Sequence, residues 1–363
     1  MKKIKGFEKG MGIGGWLTNY KRFNVLPENK RLDITVGDME HFSSYITERD
    51  VEYIASLGLD HIRLGFDQIV LEKSPYVYRE EIITLLHSFV DWCKKYNLRV
   101  VFNLHKAIGN YCDIKESYSL MEDENLQKRF IALWLMLENE FSGDNEIMFE
   151  LLNEVRDIDP SLWNSLADKT IIELRKLNKE RYIIIGGTWW NAPNELKNLK
   201  IYEDDYIIYT FHNYQPSEFT HQRGVLMEKH LYYNRVLDYP TDEIEKYKEF
   251  QVLTYNNHDA YNNFKRMDIE FLRFALKPVK EFIENHPDKI VWCGEFGTIR
   301  HIKIECRESW MRDMITILKE LDVPYSVWNY LSTPNDGNRF SLVDDDTRKI
   351  LSQNLAKIIV GDI

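Results

Sequence analysis

The chain has 363 residues, of which 44% are hydrophobic and 29% are charged, so it can bury a large core beneath a solvated surface. Its 58 acidic residues outnumber its 47 basic ones, and the net charge of -11 disfavours binding to nucleic acid or to anionic membrane surfaces. The length is compatible with two average domains or with one α/β barrel that carries an insertion.

The N-terminus and the cysteines bear on the cellular compartment. The basic cluster in "MKKIKGFEKGMGI" is interrupted by charged residues before an apolar stretch can form, so no secretion signal is predicted. No run approaches 18 apolar residues, the length expected of a membrane-spanning helix. The four cysteines lack CxxC spacing, which indicates reduced thiols and neither a disulfide framework nor a zinc site. We therefore expect a cytoplasmic protein.

Eight short apolar runs alternate with longer amphipathic segments along the chain. The strand candidates span residues 10–16, 60–66, 98–105, 146–154, 182–187, 206–212, 289–296 and 323–330. The helix candidates span residues 46–58, 80–96, 124–141, 161–178, 268–286 and 305–321. Strands with nearly continuous apolar character are typical of a parallel sheet that is buried on both faces. The pattern predicts a (β/α)8 barrel, with residues 1–363 as a single catalytic domain.

The alternative fold is an open, doubly wound sheet. Such a sheet usually carries a GxGxxG loop after its first strand, and "GIGGW" at residues 12–16 lacks this spacing. Two long excursions, residues 18–45 and 213–267, follow the first and sixth predicted strands. We interpret 213–267 as an inserted subdomain at the barrel mouth, and we expect most of its aromatic rings to form its own small core.

Polar and aromatic side chains recur at the C-terminal ends of the predicted strands, where barrel enzymes build their active sites. They are Arg63, His105, Asn153, Glu154, His212, Tyr214, Glu295 and Trp328. Each one alone has a structural explanation, such as an ion pair for the arginine or a buried hydrogen bond for a histidine. Their joint placement on one rim favours an active site.

Glu154 and Glu295 follow strands four and seven, which face each other across an eight-stranded barrel. Two carboxyl groups across a cleft suit the cleavage of a glycosidic bond, in which one is protonated and the other ionised. If Arg63 reaches Glu295, we expect it to lower the pKa of that group. A partly buried Glu154 that faces an ionised partner is expected to have a raised pKa.

Five motifs resemble those of glycoside hydrolase family 5, in its cellulase-like branch. "LLNEV" at 151–155 is similar to the acid/base strand of that family, and "CGEFG" at 293–297 to its nucleophile strand. The other three motifs are "HIRL" at 61–64, "FHNY" at 211–214 and "VWNY" at 327–330. The resemblance covers nearly the whole chain, and "GGTWWNAPNELKNL" at 186–199 brings it closest to compact endoglucanases without a signal peptide.

The resemblance implies a retaining glycoside hydrolase that cleaves β-1,4-glucosidic bonds in glucans or cello-oligosaccharides by double displacement. Glu154 would be the general acid/base and Glu295 the nucleophile, with their carboxyl groups about 5 to 5.5 Å apart. No metal or organic cofactor is implied, the partner is an oligosaccharide or polysaccharide, and a monomer is expected.

The same resemblance implies roles for the residues around the two carboxylates. Asn153 would hydrogen-bond the 2-hydroxyl of the sugar, and His105 and His212 would line that subsite. Tyr214 would hydrogen-bond Glu295, and Trp328 would stack against the apolar face of the sugar ring. Arg63 belongs to the same substrate-binding group.

Several alternatives stay open at this point. An exo-acting β-glucosidase or β-mannosidase on short oligosaccharides could use the same residues. A metal-dependent hydrolase would need a histidine and carboxylate cluster, but the ten histidines show neither HxH nor HExxH spacing. A non-catalytic sugar-binding barrel is disfavoured because both glutamates are present. The chain also departs from the family at Lys106, at Gly65 and in segment 18–45, and these departures limit what can be inferred about substrate.

Overall fold

Eight parallel strands close into a barrel in the computed structural model, which describes residues 2–18, 36–110, 119–225, 228–332 and 339–362. The strands are β1 (Lys9–Leu17), β2 (His61–Asp67), β3 (Arg99–Lys106), β4 (Ile147–Glu150), β5 (Ile183–Gly186), β6 (Ile207–His212), β7 (Ile290–Glu295) and β8 (Tyr325–Val327). Each strand pairs with its neighbours in sequence, and β1 pairs with both β2 and β8. The predicted (β/α)8 barrel is confirmed, and every predicted strand overlaps an observed one.

Helices alternate with the strands on the outside of the barrel. The longer ones span Val36–Ser44, Glu48–Ser56, Glu80–Lys95, Glu124–Glu140, Pro160–Leu177, Ile244–Tyr255, Ile269–Ala275, Lys277–Asn285, Ile304–Glu320 and Gln353–Ile359. Shorter helical turns span Gln68–Leu71, Ser119–Met121, Thr188–Asn191, Pro193–Asn198, Ser217–Thr220 and Glu228–Tyr233, and a small hairpin pairs Glu72–Ser74 with Val77–Tyr78. None of the described helices is both long and apolar enough to cross a bilayer.

The prediction of one continuous helix over residues 268–286 is wrong. The chain forms two helices there, Ile269–Ala275 and Lys277–Asn285, which meet at Leu276. Pro278 lies in the first turn of the second helix. Proline has no backbone N–H to donate to the preceding turn and is favoured in the first turn of a helix, so a new helix begins where the first one ends.

The buried apolar side chains fall into two clusters. The smaller one contains side chains from β3 to β7 together with two residues that precede β1, and its members are Ile4, Phe7, Val101, Met148, Ile184, Ile208, Ile290 and Trp292. The larger cluster packs the helices against the outer faces of the strands. The barrel is therefore filled with side chains at its lower levels, and the polar residues of the site lie on strand ends above this apolar floor.

Among the aromatic rings of the segment after β6, Tyr239 and Tyr247 belong to the larger core cluster, and a separate small core for this segment stays a prediction. Tyr239, Tyr247 and Phe250 are buried, whereas Tyr232 is 79% exposed. Its division from the barrel as a subdomain stays a prediction. Of the other predicted excursion, 18–45, residues 19–35 lie outside the described residues.

Candidate functional site

Arg63 lies at the centre of the site and is completely buried. Its Nε and Nη2 donate to the two carboxylate oxygens of Glu150 at 2.6 and 2.7 Å. Nη2 also donates to Oδ1 of Asn153 at 2.6 Å, and Nη1 contacts Oε1 of Glu295. One guanidinium from β2 thus joins three side chains from β4 and β7, which is the planar, multidentate recognition for which arginine is suited.

Glu154 and Glu295 lie close together at the mouth of the barrel. A carboxylate oxygen of each and Nδ1 of His212 lie within 4.8 Å of one another. His212 Nδ1 is 3.0 Å from Oε1 of Glu154 and 3.8 Å from Oε2 of Glu295. Tyr214 donates its hydroxyl to Oε2 of Glu295 at 2.7 Å. The Glu295 side chain is 5% exposed and that of Glu154 is 18% exposed, so the two carboxylates differ in access to water.

The rings that flank the carboxylates have perturbed acidities. Burial lowers the pKa of His212 and of His105 well below 6.5, and the charge of Arg63 acts in the same direction. Burial and the nearby carboxylate of Glu295 raise the pKa of the Tyr214 hydroxyl well above 10. At neutral pH both imidazoles are therefore neutral and Tyr214 keeps the proton that it donates to Glu295.

Glu150 is a buried carboxylate that the sequence analysis did not select. It is completely buried, and burial raises its pKa against the opposing influence of Arg63. The strand was interpreted as a continuous apolar run. The alternation of side chains along a strand could have identified it. Glu150 lies two residues after the inward-facing Met148, so both side chains point to the same side of the strand.

Trp328 follows β8, the neighbour of β7, and its ring lies against two glycines of β1. A Cβ atom on Gly12 or Gly14 of β1 would come within 2.7 or 2.6 Å of the indole ring, so the glycines of "GMGIGGW" make room for it. The ring is half-buried and lies parallel to that of His105, with 5.4 Å between centroids and 5° between planes. His105 Nδ1 is in turn 3.0 Å from Oδ1 of Asn103.

Two tryptophans after β5 adjoin the segment that follows Glu154. Trp189 is 53% exposed and Trp190 is 37% exposed, and both have left-handed backbone conformations with φ of 50° and 55°. Their N–H groups donate to the carbonyl oxygens of Arg156 at 3.1 Å and Val155 at 2.8 Å. The backbone of the two tryptophans is thus bound to the segment that directly follows Glu154.

Glu154, His212 and Glu295 are also the kinds of side chain that bind metal ions. Across the described residues, Glu154, His212 and Glu295 form the one group of His, Cys, Asp or Glu side chains close enough to share an ion. The guanidinium of Arg63 already contacts Glu295, and a second positive charge beside it would be repelled. Without a cation, the same groups can hold and transfer protons at two facing carboxylates.

Comparison with known proteins identifies the family of the chain. Residues 27–333 match the cellulase family, glycosyl hydrolase family 5. Endoglucanase C of Acetivibrio thermocellus is 39% identical in an alignment 363 residues long, which covers 97% of this chain and 98% of that protein. Cellodextrinase A of Ruminococcus flavefaciens is 28% identical over 86% of this chain and 82% of its own length.

A solved structure extends the likeness to the whole fold. The crystal structure of a hyperthermophilic endo-β-1,4-glucanase in complex with substrate has a TM-score of 0.73 at 21% identity, covering 98% of this chain and 97% of that one. At this level of identity the similarity concerns the fold alone. Together with the sequence matches, it leads to one conclusion: the chain belongs to glycoside hydrolase family 5, the cellulase family, and is a glycosidase.

Proposed function

We propose that the enzyme hydrolyses β-1,4-glucosidic bonds in glucans or cello-oligosaccharides by double displacement, with retention of configuration. The observation that carries this proposal is the proximity of carboxylate oxygens of Glu154 and Glu295, within 4.8 Å. Retaining glycosidases hold their two carboxyl groups about 5 to 5.5 Å apart, whereas inverting enzymes leave about 6.5 to 9.5 Å for a water molecule.

In the first step, Glu295 attacks the anomeric carbon while Glu154 donates its proton to the leaving glycosidic oxygen. A covalent glycosyl ester forms on Glu295 as the bond to the aglycone breaks. In the second step, Glu154 removes a proton from water, the water oxygen attacks the same carbon, and the ester bond to Glu295 breaks. The difference in exposure suits these roles, because Glu154 recovers its proton from the attacking water, which has to reach it from solvent.

The neighbouring groups support the assignment of Glu295 as the nucleophile. Arg63 and Tyr214 each donate to one of its oxygens, and these hydrogen bonds orient the carboxylate for attack and hold it again when the ester breaks in the second step. Asn153 accepts from Arg63 through Oδ1, so its NH2 group is the part able to donate to a sugar 2-hydroxyl. Trp328 offers an indole face for the C–H face of a pyranose.

Labelling with activated 2-fluoro glycosides tests both the nucleophile and the accepted sugar. We expect a 2-fluoro cellobioside to inactivate the enzyme and to leave its glycosyl group on Glu295, as read by mass spectrometry of the digested protein. A label on another residue, or an active Glu295→Gln variant, would refute the assignment.

Glu154→Ala provides the complementary test of the acid. We expect the largest loss on substrates with poor leaving groups, and partial recovery by azide on good ones, because a small anion can then replace the missing carboxylate. Equal losses on both substrate types would count against the acid role. Abolition of activity by EDTA would instead support a metal-dependent reaction at Glu154, His212 and Glu295.

A second candidate function is exo-acting hydrolysis of short oligosaccharides by a β-glucosidase or β-mannosidase activity. The similarity to a relative named cellodextrinase A favours this second candidate, because that name refers to short cello-oligosaccharides. Early products separate the two functions. Cellobiose and cellotriose from longer cello-oligosaccharides indicate endo action, whereas release of monosaccharide alone indicates exo action.

A further inference from the structure

A groove of about 490 Å³ lies in the region after β6, and neither Glu154 nor Glu295 lines it. It runs between the end of helix Ile244–Tyr255, the following loop and helix Ile269–Ala275. Gln215 lines one part of it. The preceding residue, Tyr214, donates to Glu295, so the groove and the cleft share the loop that follows β6.

The lining of the groove combines exposed rings with amide side chains. Phe274 is 59% exposed and Tyr255 is 49% exposed. Phe264 holds Phe274 edge to face at 5.4 Å between centroids. Lys229 places its ammonium group 4.2 Å from the centroid of the Tyr255 ring. Both rings are thus held in position while remaining accessible.

The polar part of the lining is held by a buried carboxylate. Glu218 is 1% exposed, and its Oε1 accepts from the Tyr261 hydroxyl at 2.6 Å and from Gln251 Nε2 at 3.3 Å. Tyr261 and Gln251 both line the groove. Since the buried acceptor fixes their orientation, these side chains form a prepared polar surface rather than a mobile one.

The chemistry of this surface selects among ligand classes. Asn257, Asn262 and Asn263 add exposed amides that can donate and accept, and Asp259 adds one carboxylate. The described lining contains no lysine or arginine, and the ammonium group of Lys229 beside it is already engaged by the Tyr255 ring and the carbonyl oxygen of Thr254, so the surface suits a phosphate or another anion poorly. Rings that present an apolar face beside amides match a neutral polyhydroxylated chain, whose C–H faces stack while its hydroxyls exchange hydrogen bonds.

We propose that this groove is a second binding site for a neutral β-glucan chain, separate from the cleavage site and connected to it through the loop after β6. The identity of the glucan rests on the proposed function. Binding at the groove would retain a long polymer near the cleft, and would contribute nothing to a substrate that fills only the cleft.

The test compares a long neutral polymer with a short substrate. The groove variant is Phe274→Ala combined with Tyr255→Ala, and the matched control is Tyr232→Ala, an exposed ring of the same region outside the groove lining. In native gels that contain hydroxyethylcellulose, we expect the wild type and the control to be retarded and the groove variant to be retarded less. For hydrolysis of this polymer we expect KM of the groove variant to rise about threefold to tenfold.

A chromogenic cellobioside provides the second arm. We expect kcat/KM on this substrate to stay within about twofold of wild type in the groove variant, because the cleft is unchanged. Equal gel retardation of wild type and groove variant, or an equal loss on both substrates, would overturn the groove proposal. If the wild type does not cleave the cellobioside, the proposed function is contradicted. Gel retardation would then still show whether the groove binds the polymer.

Discussion

Buried carboxylates occur in two regions of this molecule, and the side chains that donate to them differ. At the barrel mouth, Glu150 and Glu295 share the guanidinium of Arg63. After β6, the side-chain donors to Glu218 among the described residues are neutral, namely the hydroxyl of Tyr261 and the amide of Gln251. Its second oxygen, Oε2, has no hydrogen-bond partner within the described part of the chain.

These partners affect how burial changes the pKa of each carboxyl group. Burial raises the pKa of Glu218 to about 7, since neutral hydrogen bonds only partly replace hydration. At Glu150 burial also raises the pKa, but Arg63 opposes that rise through charge and two hydrogen bonds. We infer that Arg63 offsets part of the cost of burying carboxylates at the barrel mouth, whereas Glu218 serves as a fixed acceptor for neutral donors.

The same Glu→Gln change should separate the two regions most strongly in activity. We expect Glu295→Gln to lower kcat/KM on cello-oligosaccharides on the order of 10^4-fold, because an amide cannot form the glycosyl ester. Glu218→Gln is the matched control and should stay within about twofold of wild type. Initial rates on cellotetraose, with circular dichroism to verify folding, measure both. Comparable losses in the two variants would erase the distinction between the two regions.

Removal of the shared guanidinium should produce the largest effect on stability. Arg63→Ala leaves Glu150 and Glu295 buried without their cation, and loss of one partner of a buried ion pair costs about 3 to 5 kcal/mol. The exposed Arg273, which pairs with Glu270 and Glu320, is the control, and Arg273→Ala should cost less than about 1 kcal/mol. Urea unfolding at pH 7 measures both free energies. Similar costs would mean that Arg63 is no more than an ordinary ion-pair partner.

Glu218→Gln should change the pH dependence of stability more than its magnitude at low pH. The folded pKa of about 7 lies above the ordinary value of 4.5, so the folded state binds the proton more tightly. Stability from this group is fully present below about 4.5 and is lost as pH rises through about 7. The variant should therefore gain on the order of 2 kcal/mol relative to wild type between pH 5 and pH 8.

The pH experiment has to allow for two histidines packed nearby. Burial lowers the pKa of His221 to about 3 and that of His230 to about 4, so both weaken the fold as pH falls below 6.5. They are present in wild type and variant alike, and the difference between the two unfolding curves isolates Glu218. A difference that stays constant from pH 5 to pH 8 would show that Glu218 is ionised throughout this range.

Much of the fold could be predicted because its determinants are local. Apolar runs and amphipathic segments specify strands and helices, and their alternation specifies the barrel. The break at Leu276 was missed because the apolar periodicity continues across it, and only Pro278 indicated a new helix.

The site was predictable where strand ends carry polar residues, and less so within strands. Arg63, Asn153, Glu154, His212, Tyr214 and Glu295 come together as the topology requires, and their roles remain proposals. Glu150 was missed because it follows Phe149 and precedes Leu151 within a run that looks apolar throughout. The groove near Glu218 could not be predicted, since it depends on how two helices and a loop pack together rather than on a motif.

The configuration of the first product shows whether Glu154 and Glu295 act as facing carboxylates in a double displacement. Proton NMR of a cello-oligosaccharide during the first minutes of hydrolysis distinguishes the anomers before mutarotation mixes them. The proposed mechanism predicts that the newly formed reducing end appears as the β anomer and converts slowly to the equilibrium mixture. Initial appearance of the α anomer would contradict it, because inversion requires a single displacement by water.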